Sequence, residues 1–246
     1  MFSITCTAIK SIVNLACRKL RSHPTSVVPA RSALVLLTIC LTACDFLNPE
    51  PHSFNGLSFD NPVLAPDFKL VDQNNQERRL TDFRGNIVLL FFGFTHCPDA
   101  CPATLGTWQK VNDLLGENAG QVRFIMITVD PERDTPELMR KHPSIFNPAF
   151  IGLTGSVAQI EDIAQDYNVF FEKVDVGSAA GYLVNHSTLT YVIDSDGLLV
   201  LAHRSYETGA DEIVDDIEYI IEHSSVSRSR NANLDENMWY ASACCH

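Results

Sequence analysis

Apolar and polar positions fall into blocks along the chain, and the blocks differ in period. The run Ile87-Val88-Leu89-Leu90-Phe91-Phe92, bounded by Gly85 and Gly93, predicts a strand covered on both faces. Residues 122–129 (Val-Arg-Phe-Ile-Met-Ile-Thr-Val) predict a second buried strand. Between them Leu105, Trp108, Val111, Leu114 and Leu115 share one helical face, predicting a helix over about 98–115 with Pro102 tolerated in its first turn. Thr135 as N-cap and Pro136 at the first helical position open a shorter helix that Pro143 is expected to disturb. Ser156 is expected to cap a further helix reaching Tyr167.

Short strands are expected at 68–71 and 78–80 around an Asn74-Asn75 turn, and another at 169–175, followed by a glycine-containing stretch at 177–181. Residues 189–194 and 198–202 read as a hairpin around Ser195-Asp196-Gly197, and 211–222 as a closing amphipathic helix. This order predicts an α/β layered domain over 62–223, with a core burying on the order of 70% of the unfolded surface.

The chain ends break this pattern. Arg31 precedes an apolar run at 33–41 that is shorter than the ~20 residues a spanning helix needs. Residues 1–43 hold five bases and no acid, as a secretory signal does. Leu41-Thr42-Ala43-Cys44 resembles the bacterial lipobox, whose cysteine becomes the lipidated first residue of the mature protein. Asp45 resembles an inner-membrane retention signal. The expectation is a lipoprotein-type signal at 1–43, a lipid anchor at Cys44 and a location on the periplasmic face of a bacterial inner membrane. A plain secretory signal and a mitochondrial presequence are the rival readings. Residues 44–61 are expected to be a flexible tether and 224–246 a disordered tail.

Composition narrows the chemistry. The chain has 246 residues, 46% of them hydrophobic, with 18 Lys+Arg against 30 Asp+Glu. The net charge of −12 becomes −17 once residues 1–43 are set aside, which argues against nucleic acid as a partner. Of the eight cysteines, Cys6, Cys17 and Cys40 fall in the signal and Cys44 at its end. Cys97 and Cys101 lie in the folded part, and Cys244 and Cys245 close the tail beside His246 with no assigned role.

Cys97 and Cys101 occupy the switch from the first buried strand to the helix, where helix-terminal N–H groups favour thiolate over thiol. Four residues apart, the pair can close a disulfide or converge on one metal. A redox dithiol and half of a soft-metal site therefore both remain open, since thiolates select Cu(I), Zn(II) or iron–sulfur clusters. Among the histidines, His23 leaves with the signal, and His52, His142, His203, His223 and His246 read as ordinary exposed side chains. His96 adjoins Cys97 too closely to reach the same ion. His186, between the 177–181 stretch and the strand at 189–194, is left as either a third ligand or a structural histidine. Two thiolates and one imidazole would make a three-coordinate site suited to Cu(I).

Residues 94–102 (Phe-Thr-His-Cys-Pro-Asp-Ala-Cys-Pro) resemble the signature of the Sco/SenC family of copper chaperones. So do residues 129–137 (Val-Asp-Pro-Glu-Arg-Asp-Thr-Pro-Glu), residues 150–155 (Phe-Ile-Gly-Leu-Thr-Gly), and His186-Ser187 ahead of the segment Thr190-Tyr191-Val192-Ile193-Asp194. The resemblance covers roughly 60–223. It implies a thioredoxin-like three-layer α/β fold with a central mixed sheet and an N-terminal β-hairpin extension. It implies a copper site at Cys97, Cys101 and His186 that binds Cu(I), with Cu(II) as a second state. It further implies loading of the binuclear copper centre of cytochrome c oxidase, with the copper-accepting oxidase subunit as partner. A periplasmic thiol reductant or another copper chaperone would be a second partner. Asp130 and Asp134 fall in the family's acidic loop and are expected to contact a partner or support the site. The chain departs from the family pattern at His142-Pro143 and in the Cys244-Cys245-His246 terminus.

The same fold also carries thiol–disulfide oxidoreductases, which place a proline before the strand facing the dithiol. Residues 185–188 (Asn-His-Ser-Thr) contain none. Metal carriage is thus preferred over a reductase that would keep the oxidase's copper-ligand cysteines reduced. Carriage by ligand exchange alters no covalent bond in a substrate, so the chain is not expected to be an enzyme in that case.

Overall fold

The structure, a computed structural model, describes residues 52–178 and 181–223, and the unit that carries the fold begins at Phe54. Its strands are β1 (Leu57–Leu64), β2 (Lys69–Asp72), β3 (Glu77–Arg79), β4 (Ile87–Gly93), β5 (Val122–Thr128), β6 (Ile151–Thr154), β7 (Phe171–Ser178), β8 (Gly181–His186), β9 (Leu189–Ile193) and β10 (Leu198–Arg204). Its helices are α1 (Ala100–Leu115), α2 (Pro136–Ser144), α3 (Val157–Asp166) and α4 (210–223). Eight strands form one mixed sheet in the order β1-β10-β9-β4-β5-β6-β2-β3, while β7 and β8 pair only with each other.

β4 occupies the centre, parallel to β5 and antiparallel to β9. All seven of its residues are buried, which is the reason for its unbroken apolar run. Successive side chains point to opposite faces, and the helices divide accordingly. Trp108 of α1 packs edge-on to Phe91 (6.1 Å between centroids) and beside Phe124 (5.5 Å). Tyr167, at the end of α3, packs instead on Phe92 (5.6 Å) and Tyr191 (5.4 Å). Met139 of α2 lies against Gly152, which is in register through Met126 with Phe91. Asp216 of α4 meets His203, in register through Thr190 with Phe91. The sheet is therefore sandwiched, with α1, α2 and α4 on the Phe91 face and α3 on the other. This is the expected thioredoxin-like three-layer arrangement, and the β2–β3 hairpin extends the sheet at the β6 edge.

Several expectations shift. Residues 57–61, expected as tether, belong to β1, which pairs with β10. Residues 181–186, given no element beyond the glycine-containing stretch at 177–181, form β8, so His186 ends a strand, and β7 starts at Phe171. β8 has no clean alternation to reveal it, since its partner is one isolated strand and most of its side chains are half-buried or exposed. Helix α1 starts at Ala100, and Leu114 is exposed. Pro143 sits in the last turn of α2, and the helix ends at Ser144. The signal at 1–43, Cys44, the tail at 224–246 and the Cys244-Cys245-His246 terminus lie outside the described residues. Among the described residues no helix is long and apolar enough to cross a membrane.

Candidate metal centre

The site forms where β4 runs out. Beyond Gly93 the chain turns through Thr95 and His96, and the Cys97 N–H donates to the Phe94 carbonyl at 3.3 Å. Cys97 therefore lies just before α1, while Cys101 sits in its first turn, fully buried. The first N–H groups of a helix lack intrahelical acceptors. Asp99 at the N-cap makes no side-chain cap, and the Cys101 N–H donates to Cys97 Sγ at 3.4 Å. The helix start thus faces one sulfur. Gly93 is what lets the other approach: a Cβ there would stand 3.0 Å from Cys101 Sγ and 2.5 Å from Phe91 Cε1.

His186 arrives from the β7–β8 pair, where its backbone partner is Phe171. Its Nδ1 lies 2.8 Å from the Ser187 carbonyl oxygen. A carbonyl can only accept, so Nδ1 carries the proton and Nε2 presents its lone pair. Nε2 stands 3.7 Å from Cys101 Sγ, with the ring held edge-on against Phe91 and Phe94. The two sulfurs and this nitrogen all lie within 4.8 Å of one another. Thiolate sulfur sits about 2.3 Å and imidazole nitrogen about 2.0 Å from a soft metal such as zinc, so ligand atoms around one ion are roughly 3.5–4 Å apart. The donor set fits such an ion.

The two sulfurs are electrostatically unequal. Cys97 is held well below the ordinary thiol range by the hydrogen bond from Cys101; burial opposes this, and the N–H groups of Cys101 and Asp99 add to it. Cys101 is pushed up by the same hydrogen bond, by burial and by the negative charge on Cys97. The thiolate is favoured at Cys97 and the thiol at Cys101. Metal binding by both sulfurs would release a proton, and an attacking nucleophile would be Cys97.

Asp130 and Asp134, expected to contact a partner or support the site, are fully buried. Asp134 Oδ2 accepts from the Thr95 N–H (2.9 Å) and the Thr128 hydroxyl (2.6 Å), and Oδ1 from the Thr95 hydroxyl (2.5 Å). It ties the cysteine turn to β5. Asp130 accepts from the Tyr182 hydroxyl at 2.7 Å and is ion-paired with Arg133, whose guanidinium also donates to the Tyr182 carbonyl and stacks 3.8 Å over its ring. It ties the strand of His186 to the same loop. The hydrogen bond to Asp130 adds to burial in pushing the Tyr182 hydroxyl up to about 12.

Thr95, Arg133 and Ser187 lie within the recognised motifs and Gly93 bounds the buried strand, but sequence reading assigned none of them a role in the site, and Tyr182 lies outside the motifs altogether. Gly93 alone had a local signal, as a glycine ending a buried strand. His96 stays outside the donor set: its Nδ1 is 3.0 Å from the Thr95 hydroxyl and 3.8 Å from Asp134. His142 is half-buried against Phe146 rather than exposed, and burial lowers its pKa. His203, expected to face solvent, is fully buried beside Asp216 at 3.5 Å.

The SCO1/SenC family pattern matches residues 58–222. An SCO2-like protein of Rickettsia prowazekii is 33% identical over 201 residues, covering 80% of this chain and 97% of that one. Among solved structures, Bradyrhizobium japonicum ScoI with copper bound is 35% identical, with a TM-score of 0.59 over 64% of this chain and 99% of that one. The apo Sco1 protein of Thermus thermophilus is 36% identical, with a TM-score of 0.62 over 69% of this chain and 98% of that one. Strand-to-helix cysteine turn, converging histidine and whole-domain match agree, and the chain belongs to the SCO1/SenC family.

Proposed function

We propose that this protein binds copper through Cys97, Cys101 and His186 and delivers it to the binuclear copper centre of cytochrome c oxidase. The observation that carries the reading is the convergence of three soft-metal donors from two separate elements within 4.8 Å, with the His186 lone pair directed at Cys101. Related proteins with copper bound share the fold and the family. Two thiolates and a neutral imidazole suit Cu(I), and the proton released from Cys101 makes loading pH-dependent. Transfer proceeds by ligand exchange with thiolates of the oxidase subunit, with no covalent bond of the acceptor made or broken. A second partner is a periplasmic thiol reductant that keeps the pair reduced, or another chaperone that supplies the copper. Cys44 carries the lipid that holds the protein on the periplasmic face of a bacterial inner membrane. Mass spectrometry of Cys44 from membranes tests the anchor, and an unlipidated cysteine there removes it.

The unequal cysteines support a second reading as a thiol–disulfide reductase. Cys97 thiolate attacks a disulfide in the oxidase's copper-binding loop and releases one thiolate. Cys101 then attacks the mixed disulfide, releasing the second thiol and leaving Cys97–Cys101 oxidised. Two electrons pass to the substrate.

The deciding measurements are metal content and rescue. The reduced protein, handled anaerobically, takes up about one copper per chain, and added copper restores oxidase assembly in cells lacking it. No copper uptake, with rescue by a thiol reductant alone, replaces the first reading with the second.

A further inference from the structure

An open groove of about 340 Å³ lies between the loop after β5, the first turns of α3 and the start of β7. Its floor is apolar, from Val129, Ile160 and Phe171, all but the last of them fully or nearly fully buried. Its rim is acidic. Glu132 is already paired with Lys173 at 2.8 Å. Glu161 and Glu172 also line the groove, and neither side chain has a hydrogen-bond or ion-pair partner among the described residues. Two unpaired carboxylates above an apolar floor match one kind of side chain: a long aliphatic stem ending in a cation. Phe171 adds a ring face on which a guanidinium or ammonium can rest.

The groove is joined to the metal centre by backbone. Phe171 on its floor is the register partner of His186, so the two residues sit across one strand pair. The loop that supplies Val129 hydrogen-bonds to the strand end beside the cysteines, the Val129 N–H donating to the Gly93 carbonyl at 2.8 Å. A segment seated in the groove lies against β7, the strand paired with the one that carries His186.

We propose that this groove is the docking site for a basic segment, an Arg- or Lys-bearing stretch of the protein that accepts copper from this one. The charge complementarity selects the occupant: Glu161 and Glu172 leave a negative rim that a carboxylate-bearing or purely apolar segment would not satisfy. This assignment rests on the copper reading for the identity of the partner, and on the groove's own chemistry for the class of segment. Docking here places the acceptor's ligands next to His186 before exchange.

The test uses the full chain, ¹⁵N-labelled, and a defined probe, the acetylated and amidated pentapeptide Gly-Arg-Leu-Arg-Gly, beside a neutral counterpart with citrulline in place of arginine. The expected result is amide shifts confined to the neighbourhood of Ile160, Glu161, Phe171 and Glu172, absent with the citrulline peptide and reduced at least tenfold in affinity by E161Q/E172Q. Shifts spread over the acidic surface, shifts that survive E161Q/E172Q, or none at all overturn the assignment. Both glutamates are rim residues on the surface, so the fold is retained, and the unchanged spectrum of the double variant verifies this. Copper uptake is measured separately on the same samples. A wild-type protein that takes up no copper sinks the copper reading, whereas the peptide shifts decide the groove on either result.

Discussion

The carboxylate of Asp134 accepts both the backbone N–H and the hydroxyl of Thr95, although the two residues are 39 positions apart. Thr95 lies two residues before Cys97, so the position of the first sulfur depends on a buried charge in the loop after β5. Among the described residues its nearest ion-pair partner is His96 at 3.8 Å, and three hydrogen bonds hold it. Asp134→Ala removes the acceptor and strands three donors, and should lower stability by about 2–4 kcal/mol. Urea denaturation of the metal-free protein measures the change. A midpoint equal to that of wild type would mean the carboxylate does not organise the turn.

His186 is the donor that sequence left open, and its removal separates ligand from bystander. His186→Ala should weaken Cu(I) binding by at least about 100-fold, more than loss of an outer hydrogen-bonding partner costs a metal site. Competition against a Cu(I) chelator gives the ratio. Cys97→Ser and Cys101→Ser should each abolish binding at the same chelator concentration, because an alcohol does not replace a thiolate toward a soft ion.

Gly93 makes room for Cys101. With Ala at this position the new methyl group meets Phe91 and the Cys101 sulfur at 2.5 Å and 3.0 Å. Both neighbours are fully buried and cannot swing away. Gly93→Ala should cost about 1–3 kcal/mol of stability and displace the sulfur from the donor set. A thermal melt paired with copper titration reads both effects, and an unchanged melt together with unchanged affinity would count against the packing argument.

Acid should weaken the β2–β3 hairpin first. Burial raises the pKa of Asp72, but the Gln76 N–H (2.9 Å), Arg78 (2.9 Å) and the Asn74 N–H (2.8 Å) outweigh it, so the net shift is downward. A carboxylate lowered on folding adds stability that is fully present above its unfolded value, near pH 4, and is lost as pH falls through the folded value. Stability should therefore decline below about pH 4, and Asp72→Asn should flatten that decline while lowering stability at neutral pH. Denaturation midpoints of both proteins from pH 2 to pH 7 check it; parallel curves would contradict the assignment.

The central elements were legible because local rules and tertiary context agree there. β4 is covered on both faces, so its apolar run needs no partner to be recognised. α2 and α3 carry their own start signals, with the Thr135 hydroxyl accepting from the Leu138 N–H and Ser156 closing a capping box with Gln159. β8 was not legible, since pairing with a single strand outside the main sheet imposes no alternation on its side chains. His203 was misplaced for a related reason: its burial comes from α4 folding back over the Phe91 face, which nothing near residue 203 announces.

Sequence alone determined the order of the layers, the cysteine pair at a strand-to-helix switch, and the short list of residues from which a third donor could come. Those are local properties, set by side-chain period, capping chemistry and spacing along one helix turn. Tertiary structure decided the rest. It put His186 3.7 Å from Cys101 across 85 residues of chain, and the neighbouring Ser187 carbonyl determined which nitrogen faces the sulfurs. It also buried Asp130 and Asp134, turning two acidic loop residues into struts for the two halves of the site. These outcomes depend on the geometry by which distant segments pack, and packing obeys shape and hydrogen-bond satisfaction across the whole core rather than any rule readable within one segment.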